Sequence, residues 1–331
     1  MTAFPKRAAV TTAPFGALDP APLELAAAAG VALTLNPYGR RLQAHEVAGF
    51  LKDHPVVIAG TEPLNEAVMD ACPGLKAICR VGVGLDSVDL SAARRRGIAV
   101  SYTPDAPSTA VAELAVGLIL DLLRGVAPAD RALRQGEWTR TTGARIARST
   151  VGVLGVGRIG RRVIHHLLGG FPGVRVLAHD LNPDLSLDGV EWVDKETIYR
   201  TADVVTVHLP LTAATKDLIG ARELAAMRPS AVLVNTARGG IVNERDLAAA
   251  LAQGVIQAAA IDVFEHEPYK GPLAQSPRTL LTCHMGSMTA DCRAQMETEA
   301  MREAIRFLAG EPFASPVPDE EYAIAEQLHR A

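Results

Sequence analysis

Arg238, Glu267 and His284 each follow, by a few residues, a short apolar run that reads as a buried strand: residues 231–235, 257–262 and 279–282. In an open parallel sheet ligands gather beyond the carboxyl ends of the strands, so side chains this far apart in the chain can meet in space. The three types are complementary. A guanidinium can grip a carboxylate through two hydrogen bonds and polarise a neighbouring ketone. An imidazole gives or takes a proton in the neutral range, and a carboxylate beside an imidazole orients it and favours its charged form. One of each is what hydride transfer between a nicotinamide and the C2 atom of a 2-oxo or 2-hydroxy acid asks of a protein, because the cofactor carries the redox chemistry.

The cofactor has a signature of its own. Residues 151–160, VGVLGVGRIG, form an apolar strand that runs through three glycines into a helix. Gly155 permits a tight turn, Gly157 lets the backbone approach a pyrophosphate, and Gly160 lets helix pack on strand. The amides of Arg158 and Ile159 then face the anion at the helix N-terminus. The next strand, 174–179, ends at Asp180, whose carboxylate can accept both adenosine ribose hydroxyls and would repel a 2′-phosphate. No Arg or Lys follows in Leu181-Asn182-Pro183, which favours NAD over NADP. His208 ends the strand 204–208, where an adenine contact and plain strand termination are both open.

These groups need a frame. Apolar runs at 8–12, 31–35, 56–59, 77–80 and 98–101 alternate with helical patterns at 22–29, 44–52, 64–71 and 90–96, the rhythm of a small doubly wound parallel sheet. A Pro-rich stretch at 103–107 breaks that rhythm and reads as a hinge. An apolar helix over 109–124 and a polar region at 135–148 precede a second series, with six strands from 151 to 282 as in a complete dinucleotide fold. A last helix spans 289–308, too short to fold alone and so expected to return to the first domain, with a short tail after it. The expectation is an α/β protein of two doubly wound parallel-sheet domains. A Rossmann NAD-binding domain, 106–288, is inserted into a flavodoxin-like substrate domain, 1–105 with 289–331.

The segments around the reacting groups, LVNTARGG at 233–240, AIDVFEHEP at 260–268 and LTCHMGS at 281–287, resemble the signatures of the D-isomer-specific 2-hydroxyacid dehydrogenases. GVGLDSVD at 82–89 and VAE at 111–113 are similar too, and the likeness runs through the chain in the family's order. The resemblance implies that Arg238 binds substrate, Glu267 supports the histidine and His284 exchanges the proton. It implies an NAD site that takes in Thr236, Ala237, Arg238, Asp262, His284, Gly286 and Ser287, with Asp262 at the nicotinamide end. It implies backbone amides around Val83 and Gly84 holding the substrate carboxylate, as a Gly-x-Gly nest can, and a homodimer formed through the NAD-binding domains, helped by the helix at 109–124. Cys283, Pro107 and Ser287 depart from the commonest family residues, which leaves the particular acid open. Phosphite-, formate- and phosphonate-type substrates, and a non-catalytic NAD-sensing role, stand as alternatives.

Composition sets the outer limits. Apolar residues make up 48% of the 331-residue chain, enough for two cores, and a net charge of −4 gives no electrostatic footprint for nucleic acid. No apolar run reaches the length of a membrane span, and the opening residues lack the apolar core of a signal peptide. Four cysteines with neither CxxC nor zinc-ligand spacing read as reduced thiols of a cytoplasmic protein with no metal site. Cys283, next to His284, is expected to be a buried, inert thiol.

Overall fold

The structure, a computed structural model, describes residues 4–330; residues 1–3 and 331, at the ends of the expected substrate domain, lie outside the described residues. In chain order the first elements are β1 (Arg7–Val10), α1 (Ala21–Ala28), β2 (Ala32–Leu35), α2 (Ala44–Leu51), β3 (Val56–Ala59), α3 (Glu66–Ala71), β4 (Ala77–Arg80), α4 (Leu90–Arg95) and β5 (Ala99–Ser101). Two helices follow, α5 (Pro107–Arg124) and α6 (Val126–Arg134). Then come β6 (Thr150–Leu154), α7 (Arg158–Gly170), β7 (Arg175–His179), β8 (Val190–Trp192), α8 (Lys195–Thr201), β9 (Val204–Val207), α9 (Ala221–Ala226), β10 (Val232–Asn235), α10 (Glu244–Gln253), β11 (Ala258–Ile261) and β12 (Thr279–Leu281). The chain closes with α11 (Ala290–Leu308) and α12 (Asp319–Arg330).

The chain divides into two compact units: one runs through Pro107 and resumes at Ser287, the other is Ser108–Gly286. The first unit holds a parallel sheet in the order β2-β1-β3-β4-β5, the flavodoxin-like order. Its middle strands read Val-Val-Ile-Ala (β3) and Ala-Ile-Cys-Arg (β4) and are buried at every position, as strands covered on both faces must be. The helices that cover them start at side-chain caps: Asn65 accepts from Val68 N and Asp89 from Ala92 N. The last long helix, α11, capped by Thr289, packs on α1, β3 and β4 of this unit. An ion pair, Arg293 Nε to Glu297 Oε1 at 2.5 Å, is nearly enclosed there, with Arg293 Nη2 donating to Thr12 Oγ1 at 2.6 Å.

The second unit has seven parallel strands, β12-β11-β10-β9-β6-β7-β8, one more than the sequence pattern indicates. The additional strand is β8, three residues on the edge beside β7. With β6 as the first strand, the order reads 7-6-5-4-1-2-3, a Rossmann sheet extended by β12. Its switch point lies between β6 and β9, and the glycine loop leaves β6 there. Of the two helices ahead of the sheet, α5 buries Ala112, Ala115, Leu118, Ile119 and Leu122 in the unit's core, whereas α6 buries none of its residues. Among the described residues no helix is long and apolar enough to cross a membrane, and no cluster of His, Cys, Asp or Glu could hold a metal ion.

Candidate active site

Arg238, Glu267 and His284 follow β10, β11 and β12, three neighbouring strands of the second unit. His284 Nδ1 lies 2.9 Å from Glu267 Oε2 and 3.1 Å from Oε1, so the imidazole and the carboxylate form a direct pair. About half of the imidazole side chain, 47%, remains exposed. With Nδ1 committed to Glu267, Nε2 is the nitrogen left to meet a ligand.

The backbone at His284 sits in the left-handed region at φ 50°, which is unusual for a residue with a Cβ. A set of hydrogen bonds from Asp262 holds it there. Asp262 is 1% exposed, and its carboxylate accepts from Thr282 Oγ1 at 2.6 Å, Met285 N at 2.9 Å and Gly286 N at 3.0 Å, while its carbonyl accepts from His284 N at 2.8 Å. Gly286 fits close to Val111 Cγ2, where a Cβ would come within 3.1 Å.

The Arg238 loop is clamped in the same manner. Asn235 Oδ1 accepts from Ala237 N at 3.0 Å and its Nδ2 donates to Arg238 O at 2.9 Å, fixing the turn through Thr236 and Ala237. Arg238 Nη1 donates to Ala237 O at 2.6 Å. Against this turn lies the loop that bears Glu267. A Cβ on Gly239 would stand 2.0 Å from Phe264 C, so only glycine lets the two backbones touch.

The glycine loop leaves β6 with Gly155 at φ 90°, and a Cβ there would meet His208 O at 2.6 Å. A Cβ on Gly160 would fall 2.0 Å from Gly155 O, which ties the first turn of α7 to the strand it leaves. Gly157 differs, since nothing lies within 4 Å of where its Cβ would be. Asp180, just past β7, accepts from Val156 N at 2.7 Å through Oδ2 and from Asn182 N at 2.9 Å through Oδ1. His208 is held by its own strand, with Nε2 2.9 Å from Thr206 Oγ1 and Nδ1 buried without a partner among the described residues; burial pushes its pKa down to about 3, so the ring is neutral.

Residues 116–286 match the model of the D-isomer specific 2-hydroxyacid dehydrogenase NAD binding domain. A glyoxylate reductase of Thermofilum pendens is 37% identical over 263 residues, covering 76% of this chain and 77% of that one. The TT0316 protein of Thermus thermophilus superposes with a TM-score of 0.86 at 32% identity, covering 94% of this chain and 100% of that one. A D-3-phosphoglycerate dehydrogenase of Methanocaldococcus jannaschii is 37% identical over 281 residues, 82% of this chain, but the match spans only 53% of that longer protein.

The chain belongs to the D-isomer-specific 2-hydroxyacid dehydrogenase family.

It is therefore an NAD-dependent oxidoreductase that interconverts 2-oxo and 2-hydroxy acids. The second unit carries the dehydrogenase's NAD-binding region, and three observations fit that cofactor. Open space lies over Gly157 at the helix start, where the first-turn amides of α7 point at whatever occupies it. Each Asp180 oxygen takes one backbone N–H and keeps a lone pair for a ribose hydroxyl. Thr236 Oγ1, beside the reacting groups, is buried with no partner among the described residues, an acceptor or donor left for a ligand.

Not every expected site residue lies in this unit. Val83 and Gly84 follow β4 in the other unit, where the turn is anchored by Gly82 N donating to Thr103 Oγ1 at 2.8 Å. Ser287 opens the second segment of that unit. Cys283 is exposed rather than buried, because the left-handed turn at His284 carries residues 283–285 out of the sheet. Sequence reasoning missed Asn235 and Thr282, which touch the site only through other residues. The signal available for each was a polar residue closing an otherwise apolar strand.

Proposed function

We propose that this dehydrogenase reduces a small 2-oxo acid with NADH, or oxidises the matching D-2-hydroxy acid, with His284 as the proton donor and acceptor. The pairing of His284 Nδ1 with Glu267 at 2.9 Å carries this reading. When bound, NADH supplies the hydride that C2 receives. The guanidinium of Arg238 grips the substrate and draws electron density from the C2 carbonyl. As charge builds on the C2 oxygen, His284 Nε2 gives up its proton to it; the imidazole left behind keeps its Nδ1 hydrogen on Glu267. In the reverse direction Nε2 takes the hydroxyl proton, and Glu267 stabilises the imidazolium that forms. In the first unit, the backbone amides of Val83 and Gly84 offer a nest suited to a carboxylate. Asp180 binds the adenosine ribose, and Thr236, Ala237, Asp262 and Gly286 border the nicotinamide end.

The functional protein is a homodimer formed through the NAD-binding units. Support comes from α6, which buries none of its residues, and from three exposed apolar side chains on and just after it: Val126 at 56%, Leu133 at 57% and Trp138 at 81%. Because α5 spends its apolar face on its own core, α6 is the better candidate for the contact.

A panel of glyoxylate, hydroxypyruvate and pyruvate, followed by loss of NADH absorbance, tests the activity. His284→Ala lowers turnover by about 10²–10⁴-fold with NADH affinity kept. Wild-type turnover in that variant removes His284 from the mechanism.

A further inference from the structure

Glu244 is the first residue of α10, six positions beyond Arg238 in the chain, and its side chain reaches into the neighbouring loop. Glu244 Oε1 accepts from Glu265 N at 2.8 Å. That amide belongs to the same Phe264–Glu265 peptide against which Gly239 packs, its would-be Cβ lying 2.4 Å from Glu265 N. The peptide is thus held twice, by a backbone contact from the Arg238 turn and by a carboxylate from the helix that follows it. Beyond it the loop folds back on itself: Phe264 N donates to Glu267 Oε1 at 3.1 Å, and the Phe264 and Tyr269 rings stack with centroids 4.2 Å apart. Glu267 then meets His284.

We propose that Glu244 is a positioning residue for the reaction, setting where the Glu267 carboxylate stands relative to His284 by fixing the Glu265 amide. This inference rests on the reading of His284 and Glu267 as the proton-transfer pair. The residue is costly to keep ionised where it is: burial, with the Glu265 and Glu267 carboxylates nearby, raises its pKa above the usual carboxylate value. A surface glutamate free to rotate into water would avoid that cost; this one holds an amide instead. Displacement of a reacting group by about 1 Å can cost on the order of 10²-fold in rate, so one hydrogen bond to the loop has a measurable lever on turnover.

Steady-state kinetics with glyoxylate or hydroxypyruvate and NADH, alongside NADH binding by fluorescence, separates the outcomes. Glu244→Ala is expected to lower kcat by about 10- to 100-fold while the Kd for NADH and the KM for the oxo acid stay within about threefold, the pattern of an interaction that matters in the transition state. Glu244→Gln keeps an oxygen at the same reach and restores kcat to within about threefold of wild type. Should Glu244→Ala fail to fold, Glu244→Gln and Glu244→Asp carry the test, because the aspartate is one methylene too short to reach the Glu265 amide and loses kcat while the glutamine keeps it. Equal kcat in all variants overturns the proposal, as does a glutamine variant that is as slow as the alanine one. His284→Asn in the same series keeps the two readings apart. If it is inactive while Glu244→Ala is not, only the positioning role falls; if it turns over normally, the proton-transfer pair itself falls.

Discussion

A histidine at φ 50° costs about 1 kcal/mol or more in backbone strain, and such residues persist where surrounding bonds over-determine them. Here the over-determination is the Asp262 carboxylate with its three donors and the Asp262 carbonyl with a fourth, all from residues 20 or more positions away. That explains what the sequence could and could not show at this scale. The residue types past the strand ends announce cation, carboxylate and imidazole, because parallel sheets gather ligands there. The turn that aims the imidazole depends on bonds between distant segments, which no local pattern encodes. Asp180 offers a sharper residue-scale test, because its geometry separates two jobs. Its oxygens anchor Val156 and Asn182, and in the proposed cofactor site its charge would oppose a 2′-phosphate. Asp180→Asn keeps one acceptor oxygen and removes the charge. The ratio of kcat/KM for NADH over NADPH is expected to fall by on the order of tenfold or more, with thermal stability reduced by no more than about 1 kcal/mol. A wild-type enzyme that prefers NADPH would overturn the ribose assignment.

The glycine loop separates structural from functional demand at the level of the element. Three glycines in the fingerprint look alike in sequence, yet their surroundings differ. Gly160 has Gly155 O where a Cβ would go, at 2.0 Å, and that oxygen is backbone that cannot move aside without distorting the β6–α7 turn. Gly160→Ala is expected to destabilise the fold by about 1–3 kcal/mol, seen as a lower urea midpoint with the unfolding slope kept. Gly157 has empty space instead. Gly157→Ala should leave the urea midpoint in place and raise the Kd for NADH at least about tenfold, since the methyl occupies room needed by the pyrophosphate. If Gly157→Ala binds NADH as the wild type does, the phosphate does not approach the loop as proposed. The elements that sequence patterns resolved well, β3, β4, β9 and β10, are buried at every position and read as mainly apolar runs, broken only by Arg80, Thr206 and Asn235. Those they missed lack that imprint. β8 is three residues long with one neighbour, and α6 is a helix whose apolar residues find no core in their own unit.

For the whole molecule, that unburied helix is the feature two-domain reasoning leaves over. The inserted arrangement follows from the motif order: a nucleotide loop that begins after 150 residues requires another unit before it, and α11 returns to that unit by packing on β3 and β4. Nothing in that scheme employs Val126, Leu133 or Trp138, each more than half exposed and all within thirteen residues of chain. An exposed tryptophan five residues from an exposed leucine is an unfavourable surface for an isolated chain, and the proposed pairing with a second copy would remove it from water. A two-fold contact presents the same patch from both chains, so each substitution is counted twice at the interface. Leu133→Asp combined with Trp138→Asp therefore places four carboxylates in the contact, while the core of the unit, supplied by α5 and the sheet, is untouched. Light scattering after size exclusion is expected to give twice the chain mass for the wild type and a single chain mass for the double variant, with far-UV dichroism unchanged. At about 25 cal/mol per Å² of apolar area, a standard interface of about 1,600 Å² depends on few anchors, so loss of two of them on both sides should raise the dimer Kd by several orders of magnitude. A wild-type chain that runs as a monomer at micromolar concentration rules this pairing out and leaves α6 without a partner in a second copy.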